Sequence, residues 1–312
     1  MTLATLQHPT QPRLTSNGQE LDLSSDCFGE LRSSLDIVDD GEALRRRMEE
    51  DGYLYVPGCL NRDEVLAARY EMTRRLAVEG HLDRRFAHEE AVASADTTVK
   101  FHAELAIGNE PLMRVLYSGP MMEFYERFFN EPVRHFDYTW VRAVSPGTGT
   151  PPHCDHVYMG RGTTRLYTAW TPLGDVSYEQ GGLMVLENSH LHEPLRENYC
   201  RKDVDAFCSN RRGEDWQQMG GGGNIRPGGM LSPHPVKLRN RLGGRWLTSE
   251  FRAGDLLTFT TFLVHASLDN HSNRIRLSAD SRYQPAGEPA DERWIGPNPI
   301  GHGPQAKRGM IC

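Results

Sequence analysis

Several things are scarce or missing in this sequence, and each absence removes a class of function. The six cysteines (27, 59, 154, 200, 208 and 312) form no Cys-x-x-Cys pair and no dense cluster. A disulfide framework is therefore not expected, and free thiols in a reducing cytoplasm are. No apolar run is long enough to span a bilayer, and Met1–Gln7 lacks the basic region of a signal peptide. Basic stripes are absent too. With 35 Lys and Arg against 42 Asp and Glu, the net charge is -7, so nucleic-acid binding is not the main task. The Gly-rich stretch Met219–Gly229 has no Gly-Lys-Ser/Thr ending and no preceding strand, which argues against a phosphate loop and for a lid or insertion. There are no internal repeats.

The 312 residues can bury a sizeable core. Residues 1–40, rich in Ser, Thr, Gln and Asp, are expected to form a flexible leader or a strap over the surface. Residues 41–130 read as mainly helical. Asn61-x-x-Glu64 resembles a capping box, and Val65, Met72 and Leu76 follow at helical spacing. Pro120 opens a second apolar helix whose Phe124, Tyr125, Phe128 and Phe129 suit packing on a sheet. Strands dominate 131–290, interrupted by a polar insertion at about 196–246, and a C-terminal tail covers 291–312. Helices followed by a run of strands indicate an α+β domain over 41–290.

The chemistry concentrates in His153-Cys154-Asp155, answered by His265 and then Arg276. Two ligands two residues apart plus a distant histidine is the pattern of a 2-His-1-carboxylate facial triad for Fe(II). The spacing alone is weak, because His81/Asp83, His88/Glu90, His102/Glu104 and His135/Asp137 share it. Strand neighbours i and i+2 reach one metal, whereas on a helix they diverge by about 200°. That sets aside His81, which follows the helix-like stretch Asn61–Gly80; His88 and His102 are set aside because they lie in polar sequence with no strand signal. His135 and Asp137 are strand-like, but His153 follows the turn-forming loop Pro146–Pro152 and precedes the strand-like Leu166–Trp170. His265 closes the β-rich run Asp255–His265. Beyond it, Arg274–Tyr283 alternates, with Arg274, Arg276, Ser278, Asp280 and Arg282 on one face. An arginine with a serine makes a carboxylate clamp. Parity leaves Arg274 and Arg276 both open, and a solvated edge strand is the plain alternative.

The chain resembles the phytanoyl-CoA dioxygenase family of Fe(II)- and 2-oxoglutarate-dependent oxygenases. The likeness runs from about 43 to 285. It rests on Leu44–Leu60 with its Asp51-Gly-Tyr-Leu-Tyr-Val-Pro-Gly58 core, His153-Cys-Asp155, Trp170–Asp175, Gly181–His190 and His265…Arg276-Leu-Ser278. The resemblance implies a double-stranded β-helix, a jelly-roll or cupin-like barrel, with N-terminal helices packed on it. It implies Fe(II) on His153, Asp155 and His265, and 2-oxoglutarate on Arg276 and Ser278, with Lys100 and Trp170 near the co-substrate. It further implies O2-dependent hydroxylation of a small molecule with release of succinate and CO2. Asp155 argues for hydroxylation, since related halogenases lack that carboxylate. A non-catalytic metal-binding cupin-like protein and a zinc-dependent hydrolase are the alternatives; Arg276-Leu-Ser278 speaks against the hydrolase.

Overall fold

The computed structural model describes residues 13–208 and 229–310. The expected leader is, from residue 13 onward, part of the fold. Strands β1 (Thr15–Ser16) and β2 (Gln19–Glu20) form a hairpin, and β3 (Phe28–Glu30) enters a sheet as a parallel strand. Its polar composition concealed two anchors. Leu14, Leu21 and Leu31 are buried. The buried Asp269 carboxylate accepts from the Thr15 hydroxyl and from the Asn17 and Gly18 amides.

Asp40 caps α1 (Gly41–Asp51) by accepting from the Glu42 and Ala43 amides. Gly52 ends that helix at φ +76°, where a β-carbon would lie 2.5 Å from His190 Nδ1. The chain then forms β4 (Tyr53–Val56) and α2 (Arg62–Val78), the latter capped by Asn61 through the Asp63 and Glu64 amides. Val65, Met72 and Leu76 are fully buried, as their spacing predicts. Helices α3 (Glu110–Tyr117) and α4 (Gly119–Phe129) follow. The aromatics of α4 pack on a sheet: Tyr125 stacks on Tyr283 at 4.1 Å, and Phe128 meets Tyr167 edge-on.

Two sheets make the barrel. The larger holds β4, β5 (Val133–His135), β6 (Trp140–Val144), β7 (Tyr167–Pro172), β11 (Leu256–Thr260) and β13 (Arg276–Pro285), paired antiparallel in the order β4-β11-β7-β13-β5, with β6 also on β13. The smaller runs β12 (His265–Ser267), β8 (Leu183–Leu186), β10 (Trp246–Thr248), β3. This is the α+β jelly roll. Strand β13 is central and buried throughout, so the edge-strand alternative fails. Its Leu277, Ala279 and Tyr283 join the helical layer's core, while Trp170, Val185, Leu257 and Phe259 fill the space between the sheets. Arg276, Ser278, Asp280 and Arg282 of β13 face that interior.

The insertion and the tail are also corrected in part. Described residues of 196–246 include the helix Pro235–Leu242, and Trp246 already belongs to β10. Most of Met219–Gly229 lies outside the described residues. In the tail, buried Arg293 binds Asp291, Asp203 and Asp205, and β14 (Arg308–Met310) pairs with β9 (Ala206–Cys208). Insertion and tail thus hold each other against the barrel. No described helix is long and apolar enough to cross a membrane.

Candidate active site

The loop Pro146–Pro152 is fixed before it delivers its histidine. Gly149 donates its amide to Asp269 Oδ1 at 2.6 Å, and Thr150 donates to Ser267 Oγ at 2.8 Å. His153 and His265 then exchange backbone hydrogen bonds of 3.0 Å each. This bridge sets the two rings 4.2 Å apart. His153 therefore has strand geometry, but Asp155 does not: it precedes the short helix His156–Met159 with αR backbone angles. Likewise His265 opens β12 rather than closing β11, because residues 261–264 turn the chain. A methyl group at Gly149 would stand 2.4 Å from Ser267 Oγ and 2.5 Å from the Leu268 carbonyl. Gly149→Ala is expected to displace this loop, costing about 1–3 kcal/mol by overpacking and weakening metal affinity. Thermal melts with and without metal would show both effects.

The three side chains are aimed from behind. His153 Nδ1 donates to the Pro151 carbonyl at 2.9 Å, and His265 Nδ1 donates to the Leu263 carbonyl at 3.1 Å. A carbonyl only accepts, so the proton of each neutral ring sits on Nδ1 and Nε2 is left bare. Asp155 Oδ2 accepts from the Thr168 hydroxyl at 2.6 Å and from Arg282 Nη2 at 2.9 Å. Oδ1 is thereby turned toward the histidines, 3.6 Å from His153 Nε2 and 3.5 Å from His265 Nε2. These buried atoms fit one metal ion, and the supports behind them are the kind that orient ligands.

Burial lowers His153 to about 3, with His265 adding to the effect. Desolvation works to raise Asp155, but Arg282 and then His265 hold it well below the usual carboxylate range. Both shifts act in one direction on stability. The unfolded imidazole takes up a proton below about 6.5 while the folded one stays neutral, and unfolded aspartate protonates near 3.9 before the folded one does. The metal-free protein is expected to lose stability steadily as pH falls from about 6.5 toward 3. Calorimetric melts across that range check this; a flat profile would contradict it.

Beside the triad lies a cavity lined by Arg142, Thr150, Trp170, Arg276, Asp280 and Arg282, among others. Arg276 is 2% exposed, and its Nη1 donates to Ser278 Oγ at 3.1 Å, leaving the serine hydroxyl free to donate. Its Nε is buried without a partner. Burial, with Arg142 nearby, lowers it to about 10, so it remains charged at neutral pH. Trp170 lies 5.9 Å from that guanidinium. Arg274 is exposed and faces Glu90, outside the lining of this cavity, whereas Arg276 lines it. Lys100 is a correction. It is exposed and bonded to Thr148 Oγ1, outside the lining of the cavity, so its position along the chain misled.

Other spacings that resembled the triad fall elsewhere. His135 stacks on Tyr117, and Asp137 accepts from the Gly296 amide. His81 and His102 meet Glu79 near the surface, where both nitrogens of His102 face carboxylates, Glu79 and Glu104. Arg142, Thr168 and Arg282 escaped notice as site residues. Arg282 shares the even-numbered face of β13 with Arg276, so its strand parity carried the signal. Arg142 carried none, because its position across from Ser278 depends on strand pairing.

Fold and site together define a jelly-roll oxygenase of the 2-His-1-carboxylate class. The chain belongs to the phytanoyl-CoA dioxygenase family, whose sequence model, Phytanoyl-CoA dioxygenase (PhyH), matches residues 48–278. It is 28% identical over 273 residues to a 1-deoxypentalenic acid 11-beta-hydroxylase of Streptomyces exfoliatus, covering 84% of this chain and 87% of that protein. Among solved structures it resembles the epimerase SnoN in complex with Fe3+, alpha ketoglutarate and nogalamycin RO, with TM-score 0.54, 22% identity, and 87% and 94% of the two chains covered. It also resembles the non-heme alpha ketoglutarate dependent carbocyclase SnoK from nogalamycin biosynthesis, with TM-score 0.56, 18% identity, and 81% and 86% covered. At these identities the two structures establish a shared fold. By its family and its buried triad the chain is an enzyme, an Fe(II)- and 2-oxoglutarate-dependent oxygenase.

Proposed function

We propose that this enzyme hydroxylates a C–H bond of a small molecule, with His153, Asp155 and His265 holding Fe(II) and Arg276 with Ser278 holding the distal carboxylate of 2-oxoglutarate. The observation that carries the reading is the convergence of two bare Nε2 atoms and one Asp155 oxygen next to a buried arginine with an orphaned Nε. A zinc hydrolase has no use for such a clamp. When bound, iron and 2-oxoglutarate supply the oxidation, in which O2 is reduced, succinate and CO2 leave, and one oxygen atom enters the substrate. The protein's contribution is position and dryness. Arg282 keeps Asp155 ionised, Thr168 and Arg282 orient it, the two backbone carbonyls fix the histidine tautomers, and Trp170 covers the clamp. A second cavity of about 290 Å³ opens on His153 and Asp155, walled by Phe101, Trp140, Tyr158, Met159, Met230 and His302, and is the place for the substrate. Among the described residues Cys27, Cys59, Cys154 and Cys200 carry free thiols, which suit a cytoplasmic setting.

Aerobic succinate formation from 2-oxoglutarate with added Fe(II), without substrate, tests the reading. Uncoupled turnover in the wild type that His153→Ala and Arg276→Ala both lose is the expected result. Absence of turnover together with absence of 2-oxoglutarate binding to the metal-loaded protein would reject it.

A further inference from the structure

We propose that the substrate is an apolar molecule carrying one carboxylate, and that Arg142 anchors it. This rests on the oxygenase reading above and deepens it. The charged side chains lining the two cavities are three arginines, Arg142, Arg276 and Arg282, and two carboxylates, Asp155 and Asp280. Divalent iron and doubly charged 2-oxoglutarate cancel each other. One positive charge is therefore left over in a site with low exposure to water, where an unbalanced charge is costly. A single anionic group on the substrate balances it.

The position of that group follows from which arginine has unpaired nitrogens that a ligand can reach. Arg276 faces the co-substrate cavity and does not line the larger one. Arg282 gives its Nη2 to Asp155 at 2.9 Å, and its unpartnered Nε and Nη1 are buried, in a side chain 3% exposed under Trp140 at 4.2 Å, where a ligand does not reach them. Arg142 gives only its Nε, to Asp280 Oδ2 at 2.8 Å. Its side chain remains 26% exposed while that of Asp280 is 5% exposed. Arg142, like Arg282, lines both cavities, and of the two its side chain is the more exposed. Its two outer nitrogens form the fork that matches a carboxylate bidentately. The remaining wall, with Phe101, Trp140, Met159 and Met230, offers apolar surface, which suits a hydrocarbon body. The substrate in the name of the Streptomyces exfoliatus relative is itself an acid.

The test uses full-length protein loaded anaerobically with Fe(II) and 2-oxoglutarate. Binding of 1-deoxypentalenic acid and of a panel of fused-ring and linear monocarboxylic acids is measured by calorimetry, each acid against its methyl ester. Arg142→Gln alone strands Asp280 and could unfold the protein, so the decisive variant is Arg142→Gln/Asp280→Asn, which removes both charges of the pair. At least one acid should bind the wild type roughly 10- to 100-fold more tightly than its ester, the scale of a charge-assisted bond. In the double variant that preference should fall to about twofold, measured at saturating 2-oxoglutarate. Equal binding of acids and esters, binding of no acid, or a preference that survives in the double variant would each overturn the proposal. Uncoupled succinate formation is recorded on the same wild-type sample. If it persists while the acid preference fails, only the anchor is rejected and the oxygenase reading stands.

Discussion

Asp155→Ala should abolish turnover and weaken metal binding by more than the roughly 10- to 100-fold typical of losing a supporting residue behind a ligand. The reason is double. The substitution removes the oxygen that faces both histidines, and it also strands the buried Arg282, whose Nη2 bonds to Asp155 while its Nε and Nη1 have no partner. Breaking a buried ion pair by deleting one member costs about 3–5 kcal/mol, so the metal-free variant should also melt well below the wild type. Asp155→Asn separates the contributions. It keeps an acceptor for the Thr168 hydroxyl but loses the charge, so it should recover part of the stability and little of the metal affinity. Metal titration and apo-protein melts on both variants check this; a fully stable, metal-binding Asp155→Ala would contradict the assignment.

Arg276→Met should have the opposite signature. Truncating one member of a buried charge pair costs at least about 2 kcal/mol of binding, so 2-oxoglutarate affinity should fall by about 30-fold or more. The metal-free protein should nevertheless become more stable, by on the order of 1 kcal/mol, because an apolar side chain replaces a buried guanidinium that has no carboxylate partner. The buried, unpartnered Nε and the lowered Arg276 value both point that way. A variant that lost stability and affinity together would mark Arg276 as structural. Stability gained at the expense of function is the usual pattern when a site is built for a ligand rather than for itself.

These residues also show what the sequence could and could not disclose. Strand parity on β13 placed Arg276, Ser278, Asp280 and Arg282 on one face, and the structure turns that face into the barrel. It could not reveal that the face is interior, since charged alternating sequence usually faces water; only the pairing of β13 on both edges does so. The aromatic stripe of α4 was legible because helix periodicity is local. The anchoring of residues 13–40 was not, because the Asp269 carboxylate that ties them down is some 250 residues away along the chain. Arg142 was hidden for the same reason. Lys100 shows the reverse error, in which a position inferred from a family pattern lands on the outside.

The central claim is that the triad and Arg276 together make a metal-dependent site for 2-oxoglutarate. Its most direct test is an anaerobic titration of 2-oxoglutarate into metal-free and Fe(II)-loaded protein, followed by calorimetry and by the visible charge-transfer absorption of a chelated ferrous ion. Binding of one equivalent that requires the metal, produces the absorption and is lost in Arg276→Met is the expected outcome. Binding that is equal with and without Fe(II), or no binding at all, would contradict the claim.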